Sequence, residues 1–278
     1  MKNYLSLIKF SHTIFAMPFA FIGFFLASEK EIEWIILIYI ILCMILARSA
    51  AMAFNRYIDR KIDKKNSRTS KREIASGIIK PNHALIFVII NSLLFIICTY
   101  FINSICFYLS PIALLIILGY SLTKRFTSLC HFILGIGLSL TPIGAYLAVN
   151  GSFSALPLLF SLVVLLWVSG FDIIYALQDE EFDKAEHLYS IPVLLGKKNA
   201  LKLSQVLHSL TFVTLLYIGF VYEFQIYYWI GCIIFSNLLI YQHTLVKLDN
   251  LQKIDIIFFT TNGIGSIIFG IFVILDLI

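Results

Sequence analysis

The sequence predicts an all-α integral membrane protein: nine transmembrane helices in a bundle around a central cavity, closed on one side by cytoplasmic cap loops. Three observations carry this. The 278-residue chain is 60% hydrophobic and only 13% charged, about half the charge of an ordinary soluble domain. Its apolar residues gather in runs of roughly twenty, the length that crosses a hydrocarbon core. The connections between the runs alternate between strongly basic and nearly free of Lys and Arg, the pattern of positive-inside topology.

The spans fall at about 10–27, 34–56, 83–101, 105–122, 129–149, 155–177, 203–221, 224–243 and 254–276. The first run lacks a small-residue cleavage site, so it reads as a helix and not as a signal peptide. After the second span come Arg60, Lys61, Lys64, Lys65, Arg68, Lys71, Arg72 and Lys80. Lys124 and Arg125 follow the fourth, Lys184, Lys197, Lys198 and Lys202 the sixth, and Lys247 and Lys253 the eighth. The other side carries only Lys30, among Glu29, Glu31 and Glu33. The N-terminus is therefore expected in the cytoplasm and the C-terminus outside, in a multi-pass protein of the cytoplasmic membrane. The whole of 1–278 is expected to be a single membrane domain with the lipid bilayer as its surroundings. Bases spread over loops argue against nucleic acid as a partner. Cys43, Cys98, Cys106, Cys130 and Cys232 stand singly and read as small buried hydrophobes. His83, His131, His187, His208 and His243 read as interfacial or packed.

The chemistry lies at the ends of the second and sixth spans. In a helix Asn55, Asp59 and Asp63 stand one turn apart on one stripe, and Asp179 and Asp183 repeat that step. Asp172 lies two turns before Asp179 on the same face. Two carboxylates ~6 Å apart repel by ~3 kcal/mol at an effective dielectric near 20, so five facing one space call for cations. Oxygen donors without His or Cys suit Mg²⁺, which binds through a few carboxylates plus substrate phosphates. The two stripes lie four spans apart, as two related halves facing a shared cavity would place them. Arg48 is on the face of Asn55, and a lone Arg in a span is costly enough to belong in a polar cavity. Lys124 and Arg125 are either positive-inside anchors or phosphate ligands. Gly119, Gly135, Gly137 and Gly144 are expected to permit close helix contacts.

At these residues the sequence resembles the UbiA superfamily of intramembrane aromatic prenyltransferases. Its NxxxDxxxD motif is matched by Asn55, Asp59 and Asp63, and its YAxxDxxxD motif by Tyr175, Ala176, Asp179 and Asp183. Its YxxxKR element is matched by Tyr120, Lys124 and Arg125, and its RTxxR segment by Arg68, Thr69 and Arg72 before Gly77. Within the family the text is most similar to 4-hydroxybenzoate polyprenyltransferases. Residues 9–18 and 66–73 resemble a subgroup tied to menaquinone made by the futalosine route. Where the ubiquinone enzymes carry a basic Arg-Lys/Arg-Pro-Ile-Gly region, this chain has Lys9 and His12.

The resemblance implies transfer of a polyprenyl group from an allylic polyprenyl diphosphate to an aromatic acid acceptor, in quinone (menaquinone or ubiquinone) biosynthesis. It implies Mg²⁺ held by Asn55, Asp59, Asp63, Asp179 and Asp183. Arg48, Arg68, Arg72, Tyr120, Lys124, Arg125, Asp172 and Tyr175 would bind substrate, with Lys9 and His12 toward the acceptor. The rival reading is a cation-coupled membrane transporter, since intramembrane Asp and Arg often mark ion pathways; against it, both acidic stripes sit at one membrane face. A CDP-alcohol phosphotransferase would need DG and AR pairs that do not follow Asp59.

Overall fold

Long apolar runs without water must satisfy their backbone internally, and among the described residues they do so as helices. The computed structural model describes residues 2–8, 16–28, 32–248, 251 and 254–278. Its elements are α1 (Lys2–Ile8), α2 (Met17–Ala27), α3 (Trp34–Lys65), α4 (Pro81–Ile102), α5 (Ser104–Thr123), α6 (Cys130–Asn150), α7 (Ala155–Ala176), α8 (Glu180–Ala185), α9 (Ile191–Val221), α10 (Ile226–Leu245) and α11 (Ile254–Leu277). A 3₁₀ turn, Leu177–Asp179, joins α7 to α8.

Among the described residues, seven helices are long and apolar enough to cross a membrane. The α2 helix is apolar but only 11 residues long, and residues 10–15, the first third of its expected span, lie outside the described residues together with Lys9. The α10 helix has 20 residues, but Asn237, Gln242 and His243 dilute its hydropathy. The outer faces are strongly apolar: Ile89, Leu93 and Ile97 of α4 and Leu115 of α5 are exposed, as lipid-facing side chains are in a span.

Several helices start on recognisable signals. Asn103 accepts from the Cys106 amide at the start of α5, and Ser190 from the Val193 amide at the start of α9. Asp276, from the end of α11, accepts from the amides of Gln225 and Tyr228 at the start of α10, at 2.7 and 3.1 Å. Gly196 breaks α9 after its first turn with φ +73° and ψ 157°, a conformation that favours glycine.

The core centres on α7, whose Phe160, Trp167 and Phe171 pack with Phe19, Phe235 and Phe269. Polar ties hold the surrounding helices to it. Trp167 Nε1 donates to Asn262 Oδ1 at 3.0 Å, and Ser204 Oγ donates to the Gly170 carbonyl at 2.7 Å. His208 Nε2 donates to the Trp167 carbonyl, and its Nδ1 meets His243 Nε2 at 2.8 Å. These two histidines are packed, as expected.

The glycines behave differently from the expectation. Gly135 does lie against α7, where a Cβ would stand 2.4 Å from Ser169 Oγ. A Cβ on Gly119, Gly137 or Gly144 would meet nothing within 4 Å, so these three are not close-contact sites. Two further tight crossings are at Gly23, where a Cβ would stand 2.1 Å from the Pro142 carbonyl oxygen, and Gly270, against Pro18. Those two contacts seat the short α2 between α6 and α11.

Candidate active site

A polar cavity of about 610 Å³ opens where the C-terminal ends of α3, α5 and α7 meet the start of α6. As the spacing predicts, Asn55, Asp59 and Asp63 line it from α3, and Asp172, Tyr175, Asp179 and Asp183 line it from α7, the 3₁₀ turn and α8. Segment 66–80 contributes Asn66, Arg68 and Arg72, and the end of α5 contributes Tyr120, Lys124 and Arg125. Arg48 lines it from deeper on α3. All the predicted site residues that are described therefore share one chamber; Lys9 and His12 lie outside the described residues.

Each motif aspartate is held by its own base. Asp59 pairs with Arg125 and Asp63 with Arg72, at 2.7 and 2.6 Å. Asp183 lies 2.7 Å from Lys124 Nζ, an ion pair without an aligned hydrogen bond. Asp179 accepts from Arg68 Nε and Nη2 and from the Asn66 side-chain amide, the last at 3.2 Å. Arg68 also donates to the Tyr175 hydroxyl at 2.8 Å. Burial works against the Arg68 charge, but Asp179 and Tyr175 more than offset it and raise its pKa above the ordinary arginine value. Asn55 Nδ2 donates to Asp59 at 3.2 Å, tying the stripe together.

The turn after α3 sets this geometry. Asn66 Oδ1 accepts from the Arg68 amide, and Thr69 Oγ1 donates to the Asp63 carbonyl. That local Asx turn folds Arg68 and Arg72 back over the helix they follow. Gly77, at φ +82°, lets the segment reverse into α4.

Two residues that the sequence reading did not single out as site residues belong here. His131, expected to be interfacial or packed, lines the cavity and meets Asp172 Oδ2 through Nδ1 at 2.7 Å. The Ile191 amide donates to its Nε2 at 3.2 Å, so in the neutral ring the proton sits on Nδ1 and points at Asp172. Arg56 also lines the cavity and is buried, with Nε and Nη1 lacking any partner.

No three His, Cys, Asp or Glu side chains among the described residues converge as a ready metal cluster. The donor set nevertheless fits a hard divalent cation: Asp63 Oδ2 is buried without a partner, and neither Asp183 oxygen makes an aligned hydrogen bond. A second, apolar cavity of about 380 Å³ abuts the first, sharing Arg48, Met52, Tyr120, Leu134 and Leu138 as walls. The pair forms a charged head chamber with an oily annex, a shape suited to an amphiphile with an anionic head.

The model of the UbiA prenyltransferase family matches residues 16–264. The chain belongs to that family. Among its UbiA relatives are 4-hydroxybenzoate octaprenyltransferases of Nitrosomonas eutropha, 31% identical over 89% of this chain and 86% of the relative, and of Vesicomyosocius okutanii, 30% identical over 88% and 89%. The apo structure of a UbiA homolog from Aeropyrum pernix superposes with a TM-score of 0.86 at 30% identity, covering 96% of this chain and 98% of that one. A UbiA homolog from Archaeoglobus fulgidus, bound to GPP and Mg²⁺, shares the fold with a TM-score of 0.72 at 21% identity, over 99% of both chains.

Proposed function

We propose that this protein transfers a polyprenyl group from an allylic polyprenyl diphosphate to a ring carbon of an aromatic acid resembling 4-hydroxybenzoate, releasing diphosphate, in the making of a respiratory quinone. The observation that carries the reading is the convergence of two aspartate series on one cavity, each aspartate matched with a base suited to phosphate. The names of the relatives support the acceptor class. A transporter has no evident use for four such pairs gathered at one end of the bundle.

Asp59, Asp63, Asp179 and Asp183, with the Asn55 carbonyl, are the groups that would hold Mg²⁺. When bound, the metal supplies Lewis-acid neutralisation of the leaving diphosphate. As the substrate enters, Arg68, Arg72, Lys124 and Arg125 pass from their aspartates to phosphate oxygens. They then stabilise the negative charge that builds as the allylic C–O bond breaks, the largest kind of catalytic effect. Tyr175 and Phe171 border the chamber and offer aromatic faces to the allylic cation. A ring carbon of the acceptor captures that cation, and a carboxylate or the released diphosphate takes the displaced ring proton. Arg48, free of any acid and set where the two cavities meet, pairs with the acceptor carboxylate; Tyr120 forms the wall beside it. His131 holds Asp172 in place. Lys9 and His12 complete the acceptor side, where this chain departs from the ubiquinone enzymes. The prenyl tail occupies the apolar annex.

The same reading takes 1–278 as one membrane domain with nine crossings, counting α2 and α10. It puts the N-terminus and the polar cavity on the cytoplasmic side, the C-terminus outside, and segments 66–80 and 180–190 as caps that keep water from the cation.

The direct test supplies membranes containing the protein with labelled polyprenyl diphosphate and a panel of aromatic acids. A product heavier than one acid by the prenyl mass is expected. Recovery of unreacted acids with every donor length and acceptor would reject the reading.

A further inference from the structure

Three of the arginines lining the polar cavity, Arg68, Arg72 and Arg125, are each ion-paired with a motif aspartate. Arg56 is not. It is only 4% exposed, and among the described residues it makes no ion pair or hydrogen bond, leaving its buried Nε and Nη1 without a partner. A buried guanidinium of this kind is one of the costliest groups a fold can carry. Among the described residues its guanidinium ties no acid or carbonyl into place.

The charged groups acting on Arg56 are Arg72, Asp63 and Glu73. Both acids are engaged elsewhere, Asp63 with Arg72 and Glu73 with the Ser6 hydroxyl. On the same wall Asp63 Oδ2 is likewise buried and unpaired, yet it does not meet Arg56. A ligand that satisfies both must present a cation to the carboxylate and an anion to the guanidinium. A metal-bound diphosphate has that pattern; a lone aromatic carboxylate does not.

We propose that Arg56 is a further diphosphate-binding residue, an anion receptor beside the aspartate expected to hold metal. The proposal rests on the reading that the cavity takes a prenyl diphosphate. Arg72 is paired with Asp63 and must be released before it can touch phosphate, whereas Arg56 has no ion pair among the described residues to break.

The test is calorimetric titration of the purified protein in detergent with inorganic diphosphate in the presence of Mg²⁺, without prenyl donor or acceptor. Arg56→Gln should weaken diphosphate binding by at least about tenfold, the loss expected for one charge-assisted hydrogen bond. Arg56→Lys, which keeps the charge but not the fork, should fall between Gln and wild type. The thermal midpoint of the ligand-free Gln variant should equal or exceed that of the wild type, because an unpaired buried charge has been removed. KM for the aromatic acid should stay within about twofold. Unchanged diphosphate affinity in Arg56→Gln overturns the proposal. A lowered thermal midpoint with unchanged affinity assigns Arg56 a structural role instead, and a raised acceptor KM with unchanged diphosphate affinity assigns it to the carboxylate. Failure of the wild type to bind diphosphate at all would instead overturn the prenyl-transfer reading beneath it.

Discussion

Asp63 and Arg72 stand nine residues apart in sequence and 2.6 Å apart in space, and their pairing leaves Asp63 Oδ2 buried with no partner. The base thus stabilises the carboxylate without using both of its oxygens. Arg72 is about a quarter exposed, so it can leave its partner at little desolvation cost. On the proposed function, the same exchange, base to phosphate and carboxylate to metal, would take place at all four motif aspartates.

Asp63→Asn keeps the size of the side chain and removes the charge. Turnover with prenyl diphosphate and acceptor should fall by at least ~10²-fold, the scale seen when one preorganised charge-stabilising group is lost. The fold should survive, since Arg72 can turn to water. Retained turnover in a well-folded Asp63→Asn protein would count against the aspartate's place in the mechanism.

Metal removal gives a second check. All the proposed ligands are hard oxygens, so activity should vanish in EDTA and return with Mg²⁺ better than with Ca²⁺, whose larger shell suits this few-carboxylate set less well. Full turnover in chelator would remove the metal from the scheme.

The aspartate stripes were legible because a helix repeats every 3.6 residues, so Asn55, Asp59 and Asp63 could be placed on one face without any tertiary knowledge. The bases were legible as types: Arg68, Arg72, Lys124 and Arg125 stood out by motif, but which aspartate each one holds depends on the turn at Asn66 and on the packing of α5. His131 and Arg56 were missed for opposite reasons. His131 reaches Asp172 only through the crossing of α6 and α7, and a single His in a span carries no spacing signal. Arg56 sat one residue from Asn55 in a stretch already explained by its neighbours; the available signal was that a second Arg inside the α3 span needed a reason as much as Arg48 did. The glycines were misassigned because small residues permit either a close crossing or an open cavity, and sequence alone does not separate the two.

His131 and Asp172 make a separable prediction about stability. Asp172→Ala leaves the Nδ1 proton of a buried ring unsatisfied, which costs about 1–3 kcal/mol. Asp172→Asn can still present a carbonyl oxygen to it and should recover most of that loss. Thermal midpoints of the two variants, measured in the same detergent, decide the matter: equal midpoints would mean that the contact does not hold the ring.

Orientation is open to direct labelling. In a cysteine-free background, a cysteine at Ser67, in the segment bordering the polar cavity, should react with an impermeant maleimide only from the cytoplasmic side. One at the exposed Ser152, between α6 and α7, should react only from outside. Reversed labelling would overturn the orientation argued from Lys and Arg.

The last prediction concerns the length of the prenyl group. Gly137 and Gly144 line the apolar annex, and a Cβ at either would meet nothing within 4 Å. Leucine at either position adds four carbons to that space, close to the five of one isoprene unit, and improves helix propensity by up to ~1 kcal/mol. If the annex houses the tail, Gly137→Leu and Gly144→Leu should fold normally and shift the ratio of kcat/KM toward shorter prenyl diphosphates. Gly119→Leu is the control: its Cβ position is equally open, but Gly119 borders neither cavity, so its donor-length profile should match the wild type. The measurement is a series of donors of increasing length against one acceptor, on quantified folded protein. A profile unchanged in both annex variants would mean that the tail leaves the head chamber by another route, sideways into lipid.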